Sequence, residues 1–167
     1  MELRERFCAP LAFGTAGLRG TMKVGLHHMN VHVVRWVTQG FAEVICAESD
    51  WAGDRKAAVC MDGRKNSRRF AEAAAEVLAA NGITVYLFDG PRPTPELSFA
   101  VRAYGCLAGI NITASHNPKE YNGYKAYWCD GAQLQTETAM AVSARLEEID
   151  VFAGPKRMDL QRGIELG

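Results

Sequence analysis

The stretch Thr113-Ala114-Ser115-His116-Asn117-Pro118 concentrates side chains that could act on a substrate. It follows an apolar run at 107–112, so its polar groups arrive at the end of a predicted strand. Ser115 is a candidate nucleophile, although a serine hydroxyl needs a base or electrostatic help to react. His116 adjoins it in sequence, which does not by itself bring the ring to the hydroxyl. No GxSxG elbow occurs, so a hydrolase triad is not signalled. Ser, Asn and Pro also favour turns, and taken alone the stretch reads first as an ordinary turn.

A second candidate is the glycine-rich segment Gly14-Thr15-Ala16-Gly17-Leu18-Arg19-Gly20. Such a loop can bring backbone N–H groups up to an anion, and Arg19 can add charge-assisted hydrogen bonds to phosphate. It is neither a Walker A loop nor a GxGxxG turn, and alone it is a weak signal. In the third candidate, Asn122-Gly123-Tyr124-Lys125, Asn-Gly is expected to make a tight turn, with Lys125 projecting from the strand that follows. A lone lysine is more often a solvated surface charge. Arg64 and Ser67 form a further pair within reach of phosphate, and Ser67 equally suits the N-cap of a helix. Asp62-Gly63, Asp89-Gly90 and Asp130-Gly131 read as turns at strand ends. His27, His28 and His32 match no zinc spacing and read as ordinary histidines.

Elements that could position these groups alternate along the chain. Asn30 is placed to cap a helix in which Val34, Val37, Phe41, Val44 and Ile45 recur at helical spacing. The run 57–61 reads as a buried strand, 68–80 as an alanine-rich helix stopped by Asn81-Gly82, and 83–88 as a strand. A helix at 95–104, strands at 107–112 and 124–128, and a helix at 136–149 follow. The first thirty residues read mostly as loop, and 152–167 as a weakly periodic tail. This predicts an α/β fold, a three-layer domain whose mostly parallel mixed sheet of about four strands is flanked by helices. Ligands of such sheets gather beyond the carboxyl ends of the strands, so the ends at Asp62, Asp89 and Thr113 are expected to share one crevice.

The 167 residues fit one domain, expected at 1–150, with 151–167 as a tail or truncated continuation. Nineteen basic residues balance 19 acidic ones, which gives no field favouring nucleic acid or an anionic membrane. Glu2, Arg4, Glu5 and Arg6 stand where a signal peptide needs an apolar run, and no stretch reaches the ~18 apolar residues of a membrane helix. The five cysteines form no CxxC pair, which suggests reduced, packed thiols and a cytoplasmic setting.

The segments FGTAGLRG at 13–20, TASHNP at 113–118 and NGYK at 122–125, in that order, resemble the α-D-phosphohexomutase superfamily. PTPELSFAVRAYG and YKAYWCDGAQ look like its phosphoglucomutase, phosphomannomutase and phosphopentomutase branch. The resemblance implies an isomerase working as an intramolecular phosphotransferase, with 1–150 as the domain that bears a phosphoserine at Ser115. That serine gives its phosphoryl group to a hexose or pentose phosphate. The resulting bisphosphorylated sugar, also the primer, turns over and returns its other phosphate to the serine. Arg19 and Lys125 are implied as charge partners, Thr15, Gly17, Arg64 and Asn117 as phosphate-binding residues, and Asn117 also as the residue that holds the loop's shape. Either His116 or Lys125 handles the proton of the sugar hydroxyl. Mg²⁺ is implied on the phosphoserine, yet the DGDxDR motif that supplies its aspartates does not occur here. The GExSG-type sugar loop and the final phosphate-binding loop are missing too. Ser115 is then the one metal ligand the chain would offer, and without the remaining mutase domains the chain is expected to be inert. A non-catalytic module that binds sugar phosphates or docks with a mutase fits the same shortfall.

Overall fold

In the computed structural model, which describes residues 2–166, short helices and strands alternate as expected of an α/β domain. The order is α1 (Glu2–Phe7), β1 (Leu18–Thr21), α2 (Val31–Ala47), β2 (Lys56–Met61), α3 (Ser67–Ala80), β3 (Thr84–Leu87), α4 (Thr94–Ala103), β4 (Ala108–Ile112), β5 (Tyr121–Trp128), α5 (Thr136–Glu148) and α6 (Leu160–Leu166). The strands form a five-stranded sheet in the order β1-β5-β4-β2-β3. β2 pairs parallel with β3 and β4, whereas β5 pairs antiparallel with both β4 and β1. Only β5 therefore runs against the others.

Alternation along the strands divides the core into two layers. Ala57, Val59, Met61, Ile110, Ile112, Tyr124 and Ala126 face α2, α3 and α5 in the larger cluster. Val33, Val37, Phe41 and Ile45 of α2 are fully buried there, each contributing roughly 1.5–3 kcal/mol by leaving water. Ala58, Cys60 and Tyr127 face the other way and pack on Leu97, Ala100 and Val101 of α4. Burial pushes the Cys60 and Cys106 thiols up to about 11, so both are protonated and inert, in keeping with packed cysteines.

Five strands stand where about four were expected, and the difference lies in β1. Its four residues hold one buried apolar side chain, Leu18, too little for a sequence signal. Pairing with β5 makes it a strand, through the register Leu18↔Tyr124, Arg19↔Gly123, Gly20↔Asn122 and Thr21↔Tyr121. The same pairing corrects the expected Asn122-Gly123 turn, because both residues lie inside β5. Asn30 caps α2 by accepting from His32 and Val33 N–H, as its position predicts. Ser67 does not cap α3; Asn66 occupies the cap, and the buried Ser67 hydroxyl donates to Asp62 Oδ1 at 2.8 Å. The tail carries α6 and touches the body where Met158 N–H donates to the Glu76 carbonyl at 3.1 Å.

Candidate active site

β1, β2 and β4 end on one edge of the sheet, the edge at which β5 begins, and the polar loops meet there. Asp62 N–H donates to the Ile112 carbonyl at 3.1 Å, which zips the end of β2 to the end of β4. The strand end at Asp89 does not join them. β3 lies one strand beyond β2, about 10 Å from β4 at ordinary strand spacing, and the Asp89 carbonyl accepts from Arg68 instead.

Beyond β4 the chain folds into a tight projection. Thr113 N–H donates to the Gly123 carbonyl at 3.0 Å, and Asn117 N–H donates to the Ala114 carbonyl at 3.1 Å. The Thr113 hydroxyl accepts from Ser115 N–H at 3.0 Å. Ser115 itself sits in the left-handed region at φ 58, a conformation that costs a non-glycine residue roughly 1–2 kcal/mol. Such strain persists only where surrounding structure imposes it. The result is an exposed side chain at the tip of a fixed turn, its hydroxyl without a hydrogen bond among the described residues.

Arg64 supplies part of what imposes it. Its Nη1 donates to the carbonyls of Pro118 at 2.8 Å and Tyr121 at 3.2 Å. Its Nη2 donates to the carbonyls of Ser115 at 2.9 Å and Asn117 at 2.6 Å. Nε faces Asp62 Oδ2 at 3.2 Å. Asp62 Oδ1 meanwhile accepts from Arg64 N–H at 2.9 Å and from Ser67, and Asn122 Nδ2 donates to the Ser67 hydroxyl at 2.9 Å. Arg64, expected to reach phosphate, is thus turned onto the loop.

The other two basic residues stand on the same face of the sheet. Arg19 lies opposite Gly123, and Lys125 two residues further along β5 lies opposite Asn111. Diagonal neighbours of this kind are about 7–8 Å apart at their backbones. A Cβ on Gly123 would meet the Thr113 carbonyl at 2.6 Å, so glycine lets β1 and the serine loop close on each other. Arg19 reaches over that gap to Asn117 Oδ1 at 3.3 Å, the one side-chain hydrogen bond it makes among the described residues. Lys125 is half-buried and makes no hydrogen bond or ion pair among the described residues. Two cations with no carboxylate partner among the described residues therefore share the face of the sheet that leads to the serine loop, an arrangement that favours an anion.

Gly17 completes the frame. Gly14 and Gly17 exchange backbone hydrogen bonds at 3.1 and 2.8 Å, and the turn rests on β5 beside Lys125. Gly17 has φ +77, and a Cβ there would lie 1.8 Å from the Tyr124 carbonyl oxygen. Gly17→Ala should therefore lower stability by at least about 2 kcal/mol in urea unfolding. Gly14→Ala, whose Cβ meets nothing within 4 Å, is the near-neutral control. Equal midpoints for the two variants would contradict the close approach.

Of the residues singled out in the sequence, Ser115, Asn117, Arg19 and Arg64 are brought together, and Gly17 and Lys125 meet beside them on β5. Thr15 and His116 are exposed and make no side-chain contact of this kind. Asp62 and Asn122, read in the sequence as turn residues, hold Arg64 and Ser67 in place, and Asn111 was not singled out. Asn111 is buried beside Lys125, its Nδ2 donating to Thr94 Oγ1 at 2.9 Å while its Oδ1 has no partner; a polar residue inside an apolar strand was its signal. A cleft of about 1040 Å³ opens between residues 21–23, 62–66 and 117–121, with Ser115, Arg19 and Lys125 outside its lining. Among the described residues, no group of three or more His, Cys, Asp or Glu is placed to hold a metal ion.

Residues 10–152 match the sequence profile of phosphoglucomutase/phosphomannomutase, alpha/beta/alpha domain I. A phosphoglucomutase of Staphylococcus aureus strain USA300 is 44% identical over 149 residues, 89% of this chain and 26% of that protein. A crystal structure described as a putative phosphomannomutase of Thermus thermophilus superposes with a TM-score of 0.76 at 33% identity. It covers 92% of this chain and 34% of its own. A phosphoglucomutase/phosphomannomutase family protein of Burkholderia thailandensis superposes with a TM-score of 0.65 at 27% identity, over 83% of this chain and 29% of its own. The chain thus spans 26% of the length of the curated relatives it matches.

Proposed function

Because this chain belongs to the phosphoglucomutase/phosphomannomutase family, through its domain I, we propose that it supplies the phosphate-carrying serine of a sugar-phosphate mutase. The observation that carries the reading is the exposed Ser115 hydroxyl, held in a strained turn that Arg19 reaches through Asn117, with Lys125 on the same face of the sheet and neither cation paired to a carboxylate among the described residues.

In the forward half-reaction the phosphorus–oxygen bond to Ser115 breaks as one forms to a hydroxyl of a hexose or pentose phosphate. The hydroxyl proton passes to His116 or Lys125, acting in its basic form, and is handed on to the departing Ser115 oxygen, which leaves Ser115 as the free hydroxyl and the base regenerated. The bisphosphorylated sugar then turns, and its other phosphoryl group returns to Ser115. Phosphoryl transfer asks the protein mainly for positioning and charge neutralisation. Arg19 suits the second task, because one long hydrogen bond to Asn117 leaves most of its donors available to phosphate. Lys125 adds a point charge on the same face.

Magnesium, when bound, would neutralise charge on the transferred phosphoryl group. The residues present do not make a site for it: Ser115, through its phosphate, would be this chain's one ligand, and no carboxylate cluster accompanies it among the described residues. The isolated chain is therefore inert in this reading, until further domains bring metal ligands and sugar-binding loops. No helix among the described residues is long and apolar enough to cross a membrane. The free state of all five cysteines supports a cytoplasmic setting.

Grafting this chain in place of domain I of the Staphylococcus aureus phosphoglucomutase tests the reading. The graft is expected to convert glucose 1-phosphate to glucose 6-phosphate, whereas the chain alone is silent. A folded graft that carries the other domains and shows no conversion would overturn it.

A further inference from the structure

We infer that Arg64 is the positioning residue of the serine loop, fixing the Ser115 hydroxyl where phosphoryl transfer needs it without touching the phosphate. The inference rests on the reading of Ser115 as the phosphoryl carrier. An arginine has five N–H donors in a planar fork, and here each has its own acceptor. Nε faces Asp62 Oδ2, Nη1 takes the carbonyls of Pro118 and Tyr121, and Nη2 takes those of Ser115 and Asn117. No donor is left for a phosphate oxygen.

The four carbonyls span the loop from the strained serine to the first residue of β5. The loop's own ties are few: Ser115 N–H to Thr113 Oγ1, Asn117 N–H to the Ala114 carbonyl, and Tyr121 N–H to the Pro118 carbonyl. One guanidinium therefore carries more of the loop's hydrogen bonding than its turns do. The Ser115 carbonyl is among those held, so the fork acts on the peptide unit that follows the left-handed residue and opposes its relaxation to negative φ. The anchor beneath is equally specific. Asp62 orients the fork, the Ser67 hydroxyl orients Asp62 by donating to it at 2.8 Å, Asn122 in turn donates to that hydroxyl at 2.9 Å, and the Arg64 side chain is only 16% exposed. A lysine at 64 keeps the charge but offers three donors from one point, and cannot span four carbonyls and a carboxylate.

Arg64→Lys tests this, with Arg64→Ala beside it. In the chain alone, amide hydrogen exchange at Asn117 and Tyr121 should accelerate about tenfold or more in Arg64→Lys, while the core strands β2 and β4 keep their protection. In the chain assembled with the remaining mutase domains, kcat should fall about 100-fold with KM within about threefold, since a displacement near 1 Å costs about that much. A merely structural role would lower the amount of folded enzyme and leave kcat per folded molecule unchanged. Unchanged loop exchange, or kcat within about threefold of wild type, overturns the inference. If the wild-type assembly itself never turns over, the Ser115 reading fails, and the exchange measurement still decides the positioning role. Should Arg64→Ala fail to fold, Arg64→Lys alone decides.

Discussion

Ser115→Ala, in the chain assembled with the remaining mutase domains, should lose turnover altogether while folding normally. The fold has little stake in this side chain, because the hydroxyl makes no hydrogen bond among the described residues and the residue is exposed. Alanine also tolerates the left-handed turn about as well as serine, and the loop's ties run through backbone atoms and Thr113. Removing the oxygen therefore removes only the bond that would carry phosphate. Loss of a covalent carrier is not a fractional effect, since no neighbouring group in the loop offers a second hydroxyl of the same reach. Circular dichroism and urea midpoint should match wild type within about 0.5 kcal/mol. Retained turnover in this variant would exclude the shuttle.

Arg19→Ala should cost about 10²–10³ in kcat, or roughly 3–4 kcal/mol, the scale on which removing a preorganised donor acts. The side chain starts on an exposed strand position opposite Gly123, where the missing Cβ leaves it a path over the serine loop. Its hydrogen bond to Asn117, at 3.3 Å, is long and easily exchanged for phosphate. Arg19→Lys should recover part of the rate through charge alone and none of the paired hydrogen bonding. Stability should hardly move in either variant, because Arg19 makes no ion pair among the described residues and fills no cavity. Steady-state kinetics that gave Arg19→Ala a near-normal kcat would remove the guanidinium from the mechanism.

Much of the fold was legible because its signals are local. Asn30 at a helix start and Asn81-Gly82 at a helix end act within a few residues, and both do what their types predict. Motif order singled out Ser115, Arg19 and Lys125, and the contact of Arg19 with Asn117 in the serine loop joins two of those motifs. What escaped depends on contacts between distant segments. β1 exists through its pairing with β5, and that pairing draws Asn122-Gly123 out of a turn and into a strand. Asp62 makes the turn its type suggests, accepting from Arg64 N–H. That it also holds the Arg64 fork, 51 residues before the Ser115 carbonyl it clamps, carries no trace in local spacing. Ser67 suited a cap by position, but burial beside Asp62 and Asn122 gave its hydroxyl better partners.

Everything turns on whether phosphate resides, for part of each cycle, on one oxygen at the tip of β4's loop. The direct measurement is the mass of the peptide containing Ser115 after the assembled chain meets glucose 1,6-bisphosphate and magnesium, quenched before turnover ends. A single added phosphate on Ser115, absent when the bisphosphate is omitted, is the predicted result. Turnover proceeding with that peptide unmodified, or with the phosphate on another residue, would contradict the account.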